Sequence, residues 1–353
     1  MPDMPAGLLN CPENWLGEEF ADNEDWIDAS PPEVVSDIDA ALAEAKDRGL
    51  RPTGFGKDDF PLPAFADFAR HIQDEMEEGR GFALVRGLPM ERYTKEDAAI
   101  VFWGLACHLG QIVSQNRYGD LIGHVRDFGR DMRNPSVRFY ETRLSQDVHN
   151  DLSDWISLMC LRQAKSEGVS TLASAAAIHD IMMAERPDLV RVLYEPLTID
   201  RRNEPGWPEE ESELYYRLPV FTYFKGRLTT RLLPKTYYET AERHPGVEKL
   251  TKDQDEALDL LLDVAHRPGI SHNFLMRPGD IQFANNYSVL HSRSTYEDWN
   301  EPDRKRHLLR IWICPPNSRE LPPTFKPRYR SVAPGTPRGW IPKSTERELE
   351  PAE

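Results

Sequence analysis

The chain is poor in cysteine. Its 353 residues hold four, Cys11, Cys107, Cys160 and Cys314, far apart and without a CxxC pair. This spacing argues against a disulfide framework or a cysteine-based zinc site and makes a reducing cytoplasm the expected compartment. Long apolar runs are missing as well, since none approaches the roughly 20 residues that a membrane helix needs. The opening Met1-Pro-Asp-Met-Pro lacks the basic-then-apolar order of a secretory signal. Positive charge is in deficit, with 43 Lys and Arg against 59 Asp and Glu, a net charge of −16. Such a surface repels phosphate backbones, so neither nucleic acid nor an anionic membrane is expected as a partner.

Large apolar rings are abundant: 8 Trp, 12 Tyr and 14 Phe exclude a disordered chain and supply a sizeable core. Residues 1–80 read as an arm followed by helices packed on a core. Pro31-Pro32 opens a helix with Val34, Val35, Ile38 and Leu42 on one face, and Phe65, Phe68, Ile72 and Met76 mark a second. Phe82-Ala-Leu-Val85 is a buried strand, and Thr94 with Asp97 forms a capping box for the next helix. Residues 81–316 read as the main domain, with many short strands interrupted by helices over Ala175–Glu185 and Lys252–His266. Lys225-Gly226 sits in a hairpin turn, Arg277-Pro-Gly-Asp280 in another, and His307–Cys314 is an apolar strand. The fold class is mainly β with flanking α-helices, a sandwich or jelly roll. Residues 317–353 form a C-terminal extension whose charged tail from Ser344 is expected to be loose.

Among ten histidines two stand out. His149-Asn-Asp151 follows an extended stretch that begins at Tyr140, and alternate residues of a strand share a face. His291 ends the apolar strand Asn285-Asn-Tyr-Ser-Val-Leu-His291, 140 positions after Asp151. Two histidines and a carboxylate take one face of an octahedron around ferrous iron and leave positions for a chelating cosubstrate and dioxygen. A structural zinc would want a fourth ligand. Arg306 and Arg310, four apart at the start of an otherwise apolar strand, each need an anion. The distal carboxylate of 2-oxoglutarate would provide one.

His149-x-Asp151, Gly168-Val-Ser-Thr171, Asn285–His291 and Arg306-His-Leu-Leu-Arg310 together resemble the taurine / TfdA-type family of Fe(II)- and 2-oxoglutarate-dependent dioxygenases. The likeness runs from about Phe82 to about Pro315. It implies a double-stranded β-helix (cupin-like) core, with iron held by His149, Asp151 and His291. It also implies 2-oxoglutarate bound by Arg306 with help from the Thr171 hydroxyl, and Arg310 on the cosubstrate or on an anionic substrate. Asp151 disfavours halogenation, for which relatives carry a small residue there. Taurine-specific members have Thr-Asp where this chain has Asn150-Asp151, and Asn where it has Ser145, so another substrate is expected. A small polar metabolite, an amino acid or other carboxylate, fits best, with hydroxylation as the default outcome and desaturation or cyclisation open. Asn116, Tyr118, Arg126, Tyr140, Trp340 and Ile341 are the candidate substrate contacts. An oxygen-independent metal hydrolase or isomerase and a non-catalytic jelly-roll binding protein are the rival readings, and a homo-oligomer stays open.

Overall fold

The computed structural model describes residues 3–208 and 210–343. Among them no helix is long and apolar enough to cross a membrane; the tail from Ser344 lies outside the described residues. Eleven strands build two sheets that face each other: β1 Ile27–Ala29, β2 Phe82–Arg86, β3 Gln111–Val113, β4 Gly123–Val125, β5 Gln146–His149, β6 Trp155–Arg162, β7 Ser170–Ser174, β8 His272–Phe274, β9 Ile281–Asn285, β10 Val289–Arg293 and β11 His307–Cys314. The larger sheet runs β1-β2-β9-β6-β11-β3, with β4 also on β11, and the smaller runs β8-β7-β10-β5. All pairs are antiparallel except β1 with β2. This is the double-stranded β-helix core expected from the sequence.

Both faces of the larger sheet are covered, which explains why all eight residues of β11 are buried. Leu309, Ile311 and Ile313 turn outward onto α1 Pro32–Asp47, α2 Phe65–Glu77 and α3 Lys95–Leu109, where they join Val34, Ile38, Phe65, Ile72 and Phe102. Trp312 and Cys314 turn inward. The cap of α3 is reciprocal: the Asp97 N–H donates to Thr94 Oγ1 at 3.1 Å and the Thr94 N–H to Asp97 Oδ2 at 3.0 Å. On the other side α4 Ala175–Glu185, α5 Pro187–Leu193 and α6 Lys252–His266 pack on one another and on the smaller sheet through Ile178, Met182, Leu193 and Leu261.

Two local features place the site. The turn over Arg277–Asp280 carries the chain from one sheet to the other, because β8 belongs to the smaller and β9 to the larger. Arg86 anchors that turn by a fork onto Asp280 at 2.9 Å for both contacts. The C-terminal segment returns across the barrel end. Gly339, at φ +72, lets it pass so close to the Leu152 carbonyl that a Cβ would collide at 2.2 Å. Arg338, fully buried, donates to Asp154 Oδ1 at 2.6 Å, and Asp154 also accepts from the Tyr287 hydroxyl at 2.5 Å.

Candidate metal centre

His149 closes β5 and His291 stands mid-β10; they are Cα partners across the antiparallel pair, with ring centroids 4.3 Å apart. Asp151 reaches the same point by another route than the expected strand alternation. The strand ends at His149, and Asp151 lies in the loop beyond it. Its N–H donates to Asn286 Oδ1 at 2.9 Å. The intervening Asn150 turns away, donating to the Val289 carbonyl at 3.0 Å and accepting from the Leu232 N–H at 2.9 Å. One ligand atom from each of His149, Asp151 and His291 lies within 4.8 Å of the others. A divalent ion held there would take one ligand from each of the three.

The protonation states suit a metal. His149 Nδ1 lies 2.9 Å from the Asp147 carbonyl, which can only accept, so Nδ1 carries the proton and Nε2 keeps its lone pair. Gln146 Nε2 sits 3.0 Å from that lone pair. Burial lowers the pKa of His149 and pulls His291 down to about 3, so both rings are neutral near pH 7. Burial pushes the Asp151 carboxyl up, but Arg310, the two imidazoles and the Trp312 N–H outweigh it and hold it below the usual carboxylate range. Trp312 Nε1 donates to Asp151 Oδ2 at 2.8 Å, and an Arg310 Nη1 lies 3.3 Å from the same oxygen. Two neutral nitrogen donors and one fixed carboxylate, with no fourth His, Cys, Asp or Glu in the group among the described residues, fit an open iron site better than a closed zinc site.

The other expected residues divide. Asn116, Tyr118, Tyr140, Arg310 and Ile341 line one cavity together with His149 and Asp151. Within it Arg310 donates to Gln115 Oε1 at 2.6 Å and lies over the Tyr140 ring at 4.4 Å, so its guanidinium is already engaged. Asn116 closes its own turn, accepting from the Tyr118 N–H at 3.0 Å. Ile341 is tied down by Ser114, whose hydroxyl donates to its carbonyl at 2.6 Å. Trp340 does not line this cavity and packs edge-on against Trp207 at 5.3 Å. Arg126 stacks on Phe128 at 4.6 Å and lines a separate cavity with Arg306.

The two motif arginines are also separated. β11 begins at His307 and its register against β6 shifts between His307 and Leu308, so Arg306 falls outside the regular alternation. It is buried against Gly168, lies 5.1 Å from the Tyr296 ring centroid, and its Nη1 has no hydrogen-bond partner. Thr171 is not brought to the site. It pairs with Ser292 and Asn273, whose side chains occupy the face opposite His291, and its hydroxyl donates to Asn273 Oδ1 at 2.6 Å. Ser170, one position earlier, shares the face of His291 and lines a small cavity with Arg306. Sequence reasoning overlooked Gln115, Gln146, Trp312 and Arg231, which all face the triad's cavity. For Arg231 a signal existed: a cation set directly before the apolar pair Leu232-Leu233.

A jelly roll whose two sheets bring two neutral histidines and a braced carboxylate to one open point defines a non-haem iron oxygenase fold and site. The chain belongs to the taurine catabolism dioxygenase TauD, TfdA family, which matches residues 46–312. It is 30% identical to FR-33289 synthase of Streptomyces rubellomurinus over 318 residues, 87% of this chain and 91% of that protein. It is 29% identical to taurine hydroxylase-like protein SAT17 of Stachybotrys chartarum over 339 residues, covering 91% and 86%. Among solved structures it resembles asparagine oxygenase in complex with Fe(II), 2S,3S-3-hydroxyasparagine and succinate, with TM-score 0.61, 15% identity and coverage of 82% and 93%. It also resembles the non-haem iron oxygenase OrfP with Fe and alpha-ketoglutaric acid, with TM-score 0.54, 14% identity and coverage of 81% and 93%. The enzyme is therefore an iron- and 2-oxoglutarate-dependent dioxygenase, and the hydrolase and binding-protein readings are set aside.

Proposed function

We propose that His149, Asp151 and His291 hold ferrous iron, that Arg306 receives the distal carboxylate of 2-oxoglutarate, and that the enzyme oxidises a C–H bond of a small polar metabolite, by default to an alcohol. The observation that carries this reading is the convergence of two neutral imidazoles on a carboxylate kept anionic by Arg310 and Trp312. Ferrous iron with 2-oxoglutarate and dioxygen supplies an oxidant strong enough for an unactivated C–H bond, releasing succinate and carbon dioxide. The chain's own residues position the partners. Trp312 and Arg310 fix the orientation of Asp151, and the His149 Nδ1–H to Asp147 fixes the ring. Arg306, whose buried Nη1 lacks a partner, suits a carboxylate arriving beside Gly168 and Ser170. Tyr140, Gln115, Asn116 and Ile341 line the cavity beside the ligands. The four free thiols support a reducing, cytoplasmic setting.

The test is anaerobic titration of iron-loaded protein with 2-oxoglutarate, read by the weak visible charge-transfer band of the chelate. The wild type is expected to show the band, Arg306→Ala to need far more 2-oxoglutarate, and His149→Ala to show none. Bound iron without a band in the wild type would overturn the reading.

A further inference from the structure

Three buried arginines from separate parts of the chain gather on the substrate side of the cavity. Arg201, Arg231 and Arg328 are 2%, 3% and 3% exposed and all line it. They surround one ring: the guanidinium carbons of Arg201 and Arg328 lie 5.1 and 4.9 Å from the Tyr216 centroid, and Arg231 Nη2 reaches the Tyr216 hydroxyl at 3.4 Å. Glu210 pairs with Arg201 and lies 3.8 Å from Arg328, while Glu204 pairs with Arg138 at 3.0 Å and lies 3.8 Å from Arg328. Three cations, Arg201, Arg328 and Arg138, thus share two carboxylates, and Arg231 stands beside them as a fourth.

The excess falls on Arg231. Its Nη1 donates to the Asn150 carbonyl at 2.6 Å, and among the described residues no carboxylate pairs with it. Its Nε is buried without any hydrogen-bond partner, as are Arg201 Nη1 and Arg328 Nε. A buried guanidinium without an anion is strongly disfavoured, so an anion from outside the chain is the natural complement. Arg310 cannot take that part, because Asp151 and Gln115 already occupy it. Arg306 lines different cavities, and so is left for the cosubstrate. Arg231 is held by the residue between the two ligands His149 and Asp151.

We propose that Arg231, backed by Arg201 and Arg328 around Tyr216, is the specificity subsite for a terminal oxyanion on the substrate, a carboxylate or a tetrahedral phosphonate or sulfonate, and that docking there sets which carbon lies over the metal centre. This rests on the iron-oxygenase reading of the triad. The experiment uses anaerobic full-length enzyme with ferrous iron and saturating 2-oxoglutarate, titrated calorimetrically with acetate, methylphosphonate, methanesulfonate and neutral acetamide. At least one anion is expected to bind and acetamide not to, the ranking separating planar from tetrahedral oxyanions. Arg231→Gln should weaken that anion about 10- to 100-fold, the range for a lost charge-assisted contact, with Arg231→Lys recovering part of it. Its affinity for 2-oxoglutarate, read from the visible band, should stay within about twofold. If Arg231→Gln does not fold, Arg328→Gln is expected to weaken the same anion by a smaller factor.

Equal anion binding in wild type and Arg231→Gln, binding of no anion, or a matching loss of 2-oxoglutarate affinity would each overturn the subsite while the band leaves the iron reading intact. Absence of the band in the wild type sinks the iron reading instead. Anion titration of the metal-free protein then still decides the subsite, by whether Arg231→Gln weakens it.

Discussion

Trp312→Phe isolates one support of the metal centre. The indole N–H donates to Asp151 Oδ2 at 2.8 Å, and an Arg310 Nη1 at 3.3 Å is the other donor to that oxygen. Removing a hydrogen bond to a charged group costs about 1.5–3 kcal/mol. Loss of a partner that orients a metal ligand typically lowers metal affinity about 10- to 100-fold, which is about 1.4–2.7 kcal/mol. The two independent scales agree, so the ferrous dissociation constant is expected to rise by that factor. Trp312 is also 3% exposed and belongs to the interior core, so the smaller ring lowers stability by about 1–3 kcal/mol as well. The effects separate by assay: urea unfolding of the metal-free protein reads packing, and anaerobic calorimetry with iron reads the ligand. Unchanged iron affinity alongside a measurable loss of stability would show that Arg310 alone orients Asp151 and would refute this reasoning.

Gln146 is expected to act in the opposite direction. Its amide occupies the His149 Nε2 lone pair at 3.0 Å, which a metal must displace, so Gln146→Ala should leave iron affinity unchanged or raise it, measured by the same calorimetry. Stability should fall with acidity. Burial pulls His272 down to about 4 and His307 to about 2, so below about pH 6.5 the unfolded chain takes up protons that the native state refuses. Each histidine then removes about 1–2 kcal/mol of stability between pH 7 and pH 5, and His272→Phe, stacked among Trp26, Phe82 and Phe274, should flatten the urea-midpoint profile over that interval. Arg338→Met strands Asp154 in the core and should cost about 3–5 kcal/mol by denaturant unfolding, so truncation after Ala333 would unfold the scaffold as well as open the cavity.

Elements with strong local patterns were readable residue by residue. The α4 and α6 helices and β11 have the bounds expected from periodicity, and the turn residues Lys225 and Gly226 both take positive φ. The triad was readable too, because its residue types admit few other chemistries. Matters of a single residue were not. Thr171 and Ser170 differ by one position, and in a strand one position is the difference between the two faces of a sheet. The shift between His307 and Leu308 separates Arg306 from the regular alternation that Arg310 obeys, and no local pattern announces it. Asp151 converges on its partners through Asn286, 135 positions away, rather than through its own strand.

The hardest distinction concerns arginines that look alike in sequence. Arg310 lies inside an apolar strand and Arg231 just past the end of one, next to Leu232 and Leu233, and composition treats them as the same signal. Their difference is long-range. Arg310 meets Asp151, 159 positions away, and Gln115, 195 positions away, so its charge is satisfied within the chain. Arg231 meets a carbonyl and a phenol, neither of which carries a charge, and keeps a buried N–H unused. A cation among apolar neighbours therefore says only that an anion is needed. Whether the chain or the substrate supplies it depends on which residues the fold brings alongside, and here that places the substrate's contact at the arginine that the family motif omits.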